Sequence, residues 1–184
     1  DMVSAIDKES AEITDILAGR SPHLMVLDKS RGHIYVTNII SNEVSIINTA
    51  NNKLIRDIDS AESPEGIALG PYGDYIYVTN RDSNDVSVIP SKLNKVKNKI
   101  RVGENPIRVT FTPNGEYALV TNQDSSFISK ISSRTEKVVE NILTPGDEAW
   151  NKLSSEEKNR IRQTLEFANK YNDPEDLVNL QRGG

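Results

Sequence analysis

Two histidines, His23 and His33, and no cysteine limit the chemistry this chain can do. Without a thiol there is no disulfide, no thiolate metal ligand and no cysteine nucleophile. A single histidine cannot hold a metal, so His23 is expected as a solvated side chain, and no metal or other cofactor is expected. Three prolines, Pro22, Pro64 and Pro106, stand 42 residues apart. The slots after them hold His23-Leu24, Glu65-Gly66 and Ile107-Arg108. Residues that touch an asymmetric ligand are free to differ between repeats, and His23, Glu65 and Arg108 mix a cation, an anion and a cation. They are the candidate ligand-binding residues. No catalytic residue is assigned, because neither a Gly-x-Ser-x-Gly elbow nor a Gly-rich phosphate loop is present. The polar turn Arg81-Asp82-Ser83-Asn84-Asp85 lacks the glycine and distal glutamate of a calcium loop and reads as ordinary turn chemistry.

The elements that must position these residues are repeated at the same spacing. Tyr35-Val36-Thr37-Asn38 returns as Tyr77-Val78-Thr79-Asn80 and as Leu119-Val120-Thr121-Asn122. Leu27, Leu69 and Phe111 keep the period, as do Lys53, Lys95 and Lys137. A period near 42 matches a four-stranded propeller blade. In the middle unit Gly66–Leu69 reads as the inner strand, Tyr75–Thr79 as the second, Val86–Ile89 as the third and Val96–Ile100 as the fourth. Pro71-Tyr72-Gly73-Asp74 and Pro113-Asn114-Gly115 supply tight turns. Asn38, Asn80 and Asn122 recur in every unit. Each therefore reads as a structural residue that hydrogen-bonds the turn after its strand.

These residues resemble the YVTN family of β-propeller repeats over roughly residues 1–143. The resemblance implies an all-β propeller of four-stranded antiparallel blades, with full blades at 21–59, 63–101 and 105–143 and a half blade at 1–17. About three and a half blades are then present, whereas propellers close with about four to eight. The expectation is a fragment whose missing blades lie N-terminal. In such a fold the start of the inner strand borders the central channel, where His23, Glu65 and Arg108 would line the mouth. Family members are mostly secreted or cell-envelope proteins, archaeal surface-layer proteins among them. The resemblance therefore implies an extracellular, envelope or periplasmic location and a non-catalytic binding or surface-scaffold role. A protein partner or self-association is expected. The alternative is a fragment of a propeller enzyme or electron-transfer protein, lactonase-like or metal-bearing, with its active-site residues in the missing blades. The formal charge of −5 argues against nucleic acid. No apolar run approaches the length of a membrane span.

The repeat stops after Ile142, and Leu143-Thr144-Pro145-Gly146 reads as a linker to a helical tail over 144–184. Ser154-x-x-Glu157 is a capping box that predicts a helix over Ser155–Lys170. Ile161, Leu165 and Ala168 share a face, widened by Phe167 and Tyr171. A short second helix is predicted over Glu175–Gln181, carrying Leu177, Val178 and Leu180, and Trp150 reads as a packing anchor. The apolar stripe is expected to cover a blade side or edge; the alternative is a docking helix for another protein.

Overall fold

The structure, a computed structural model, describes residues 1–144 and 151–170. The expected linker residues Pro145 and Gly146, Trp150, Tyr171, the second helix and the side chains of Leu165, Phe167 and Ala168 lie outside what it describes. The described chain is nearly all β. A two-stranded sheet, β1 (Met2–Ile6) and β2 (Ile13–Leu17), comes first. Three four-stranded antiparallel sheets follow. The first blade holds β3 (Pro22–Asp28), β4 (His33–Asn38), β5 (Glu43–Asn48) and β6 (Lys53–Asp59). The second holds β7 (Pro64–Leu69), β8 (Tyr75–Asn80), β9 (Asp85–Pro90) and β10 (Asn98–Arg101). The third holds β11 (Pro106–Phe111), β12 (Tyr117–Asn122), β13 (Phe127–Ser132) and β14 (Lys137–Leu143). The arrangement is that of a partial β-propeller. Strands pair in chain order within each blade, and the inner strands β3, β7 and β11 pack side by side. Val96 and Lys97 lie outside β10, which begins at Asn98.

The strands form because each is bounded by turn residues and built from aromatic and β-branched side chains. The second and third strands of the first two blades are buried on both faces, because each of these blades has neighbours on both sides. In β8, Ile76 and Val78 join Tyr35, Val44 and Ile46 of the first blade. Tyr77, one residue out of phase, joins Val109, Ala118 and Val120 of the third. Val3, Ala5 and Ile16 of the two-stranded piece pack on Val36 and Ile47. Strand alternation leaves Met2, Ile6, Ile13 and Leu17 on the far side of that piece, all exposed. Met25 and Leu27 are exposed too, although their counterparts Ile67 and Leu69 pack between the first and second blades.

The outer face of the third blade is built differently. Lys130 stands where Ile46 and Val88 are fully buried, and Thr121 is exposed where Thr37 and Thr79 are buried. Leu119, Ile128 and Ile142 on that face are covered by Ile161 of α1 (Ser155–Lys170). The helix begins as its capping box dictates: Ser154 N–H donates to Glu157 Oε2 at 2.8 Å, and Glu157 N–H donates to Ser154 Oγ at 3.2 Å. Among the described residues no helix is long and apolar enough to cross a membrane.

Candidate functional site

The entry of each inner strand carries an irregularity. Register with the second strand shifts between Pro22 and Met25, between Pro64 and Ile67, and between Pro106 and Arg108. Such bulges re-aim side chains at a sheet's end. Here they also let a backbone N–H turn aside from the ladder. Leu24, Gly66 and Arg108 N–H groups donate to Thr37, Thr79 and Thr121 Oγ1 at 3.1, 2.7 and 3.2 Å. Thr37 and Thr79 then donate onward to the next blade, to Glu65 O at 3.0 Å and Ile107 O at 3.2 Å. The repeated threonine thus ties blade to blade beside the candidate site.

Glu65 and Arg108 are brought together. Glu65 Oε1 lies 3.8 Å from Arg108 Nη1, and Glu65 Oε2 lies 3.3 Å from Arg81 Nη1. Arg81 begins the turn after β8, at the same end of the blade as the start of β7. Its Nε donates to Asp82 Oδ1 at 2.9 Å. That hydrogen bond, with the Asp82 and Glu65 charges, holds the Arg81 pKa above its ordinary value. Hydrogen bonds from Arg81 and Ser63 hold the Asp82 carboxyl below the usual carboxylate range. The Glu65 side chain is 12% exposed, against 37% for Arg81 and 43% for Arg108. A nearly buried carboxylate therefore sits against two guanidiniums from two blades, each of them partly exposed. Arg108 Nη1 also donates to Ile107 O at 3.2 Å.

His23 is exposed on β3 and makes no hydrogen bond or ion pair with the described residues. Arg81 joins Glu65 and Arg108 from a turn that the sequence alone reads as ordinary polar chemistry. The signal that marks it is the same disagreement between repeats, since Ile39, Arg81 and Gln123 share one slot. Asn38, Asn80 and Asn122 are buried behind this end. Their amides reach past the turn to the next strand, donating to Ser45, Ser87 and Ser129 Oγ at 2.8, 2.9 and 3.1 Å. Among the described residues no three His, Asp or Glu side chains gather as a metal site.

A model of the family described as lactonase, seven-bladed β-propeller, matches residues 4–139. No curated protein matches the chain. Solved structures similar to it include hydrazine synthase of Kuenenia stuttgartiensis, at 22% identity and a TM-score of 0.70 over 76% of this chain and 42% of that one. A dihydro-haem d1 dehydrogenase in complex with DHE aligns at 16% identity and a TM-score of 0.67, over 77% of this chain and 33% of that one. A proposed 6-phosphogluconolactonase of Bacteroides fragilis aligns at 21% identity and a TM-score of 0.61, over 74% of this chain and 42% of that one. At these identities the likeness is one of fold. The chain spans well under two thirds of each of these proteins.

Proposed function

This chain belongs to the lactonase family of seven-bladed β-propellers, and from that premise we propose that it contributes an anion-recognition site to a lactonase-like propeller. One observation carries the reading: Glu65 holds Arg81 and Arg108 together across two blades at the entry of the axial strands. Guanidiniums prefer carboxylates and phosphates, because their planar fork matches two oxygens at once. Glu65 is the positioning residue. Its carboxylate lies against both guanidiniums and so orients them. Arg108, the more exposed of the two, makes first contact with the ligand. The ligand class is a small sugar-acid lactone or its opened acid, bearing a carboxylate or phosphate. Hydrolysis would require water to add to the lactone carbonyl and the ring C–O bond to break. The groups that move those protons are not assigned to this chain.

The test is calorimetric titration of the full chain with 6-phosphogluconate, with gluconate and inorganic phosphate as comparisons. Saturable binding of 6-phosphogluconate that weakens at least tenfold in Arg108→Ala, with melting unchanged, supports the reading. Equal binding by wild type and Arg108→Ala refutes it. A non-catalytic binding or cell-surface scaffold role, with its extracellular or envelope setting, is the second reading. The exposed apolar side chains Ile6, Ile13, Leu17, Met25 and Leu27 favour it, since such surfaces suit a protein partner or self-association.

A further inference from the structure

The blade ends opposite the Glu65 cluster differ in a way that opens a second site. Between the first and second blades, Arg31 fills the junction. Its Nη1 donates to Asp28 Oδ2 at 2.9 Å and across the blades to Gly73 O at 2.8 Å. Ser91 Oγ donates to the same carbonyl. Between the second and third blades both members of that ion pair are missing. Gly70 stands in the Asp28 slot and Gly73 in the Arg31 slot, each one repeat on. A cleft of about 230 Å³ results, lined by Tyr72, Tyr75, Tyr77, Phe111, Asp74 and Ser133 among others.

The remaining groups of the Arg31 slot persist in the cleft. Gly115, one repeat after Gly73, lines it. Ser133, one repeat after Ser91, lines it with a buried Oγ beside the Tyr77 phenol. Tyr77 corresponds to Tyr35, whose phenol lies close enough to Asp28 and Arg31 to feel both charges. Tyr77 and Phe111 meet at 4.7 Å between ring centroids with their planes 59° apart, forming an aromatic corner. Asp74 supplies a carboxylate where the first blade has Gly32. Aromatic faces beside a carboxylate attract organic cations, and a planar guanidinium also stacks on them. Arg134 lines the cleft as well; one repeat earlier Lys92 holds that slot, next in sequence to the Ser91 that shares the Gly73 carbonyl with Arg31, so a basic residue there is compatible with a bound guanidinium.

We propose that this interblade cleft binds a guanidinium group of an arginine-like small molecule, in the place that Arg31 occupies one blade earlier. The site is independent of the Glu65 cluster. The probe is N-acetylarginine amide, titrated into the full chain and followed by NMR shifts at Gly73, Phe111 and Gly115. Saturable binding is expected on the order of 1 mM, the scale of a few weak contacts. N-acetyllysine amide should bind at least threefold more weakly. Tyr72 and Asp74 are exposed, so Tyr72→Ala and Asp74→Asn should leave melting unchanged while weakening binding at least fivefold. Arg134→Ala should preserve or tighten it. Absence of saturable shifts, equal binding of the lysine compound, or loss of binding in Arg134→Ala would each overturn the proposal.

Discussion

Asn80 and Asn38 occupy the same slot in successive blades, yet their replacement by alanine should differ severalfold in cost. Asn80 is fully buried and makes three side-chain hydrogen bonds. Its Nδ2 donates to Asp85 Oδ1 at 2.6 Å and Ser87 Oγ at 2.9 Å, and its Oδ1 accepts from Ser60 Oγ at 2.9 Å. Each is worth about 0.5–1.5 kcal/mol net, so Asn80→Ala should cost about 2–4 kcal/mol. For a chain of this size that lowers Tm by roughly 2–4 °C per kcal/mol. Asn38 donates only to Ser45, and its Oδ1 is buried without a protein partner. Removing it loses one bond but also relieves a desolvated acceptor, so Asn38→Ala should cost about 0–1 kcal/mol. The difference lies one residue before the loop: Ser60 stands in the slot held by Ala18 in the preceding repeat. Ser60→Ala should therefore cost about 1–2 kcal/mol, and Ala18→Ser should stabilise by about 0.5–1.5 kcal/mol. Urea unfolding followed by circular dichroism reads all four variants. Equal costs for Asn80→Ala and Asn38→Ala, or no gain from Ala18→Ser, would refute the reasoning.

Three further outcomes are expected. Burial pushes the Asp28 carboxyl up, but hydrogen bonds from Ser30 and Arg31 and the Arg31 charge outweigh it and hold its pKa below 3.8. Its contribution is then complete above about pH 3.8 and lost as pH falls through the lowered value, so wild type and Asp28→Asn should converge in urea midpoint only at strongly acid pH. Gly66→Ala should destabilise by about 1–3 kcal/mol, because a Cβ there would lie 2.4 Å from Ile107 O and 2.7 Å from Thr79 Oγ1, forcing the second and third blades apart; an unchanged denaturation midpoint would contradict this. Ile161→Asp removes the helix contact from Leu119, Ile128 and Ile142, a loss of about 1–2 kcal/mol, and should raise self-association by light scattering; an unchanged monodisperse species would count against the capping role of α1.

The blades were legible in the sequence because every one meets the same local demand. A strand with neighbours on both faces needs apolar residues in both phases, and Tyr77-Val78 supplies them in consecutive positions. The helix start was legible because the Ser154–Glu157 capping box is a local signature. The partner of Glu65 was only half legible. Arg108 follows a repeated proline and stood out, whereas Arg81 sits in a turn that read as generic polar chemistry. No local pattern says that the turn of one strand and the entry of another lie at one end of a blade; the fold alone brings them together. The same holds for Ser60, whose value to Asn80 depends on a contact 20 residues away.

Repetition also decides where specificity can reside. Val36, Val78 and Val120 are fully buried at strand centres, and the same residue fills all three slots. At the blade ends one side is water, and substitutions there leave the sandwich intact. Both candidate sites arise there, by opposite routes. At one end an anion is added: Glu65 stands where the flanking repeats have His23 and Ile107, and it gathers two arginines. At the other end an ion pair is deleted, when Asp28 and Arg31 give way to Gly70 and Gly73, and a cleft is left in a junction that is otherwise filled. The two ends are therefore complementary in what they present. On the two proposals, the partly exposed guanidiniums beside Glu65 would select an anion and Asp74 among tyrosines a cation. A ligand of one charge cannot serve both sites, so competition between 6-phosphogluconate and N-acetylarginine amide for the same protein should be absent.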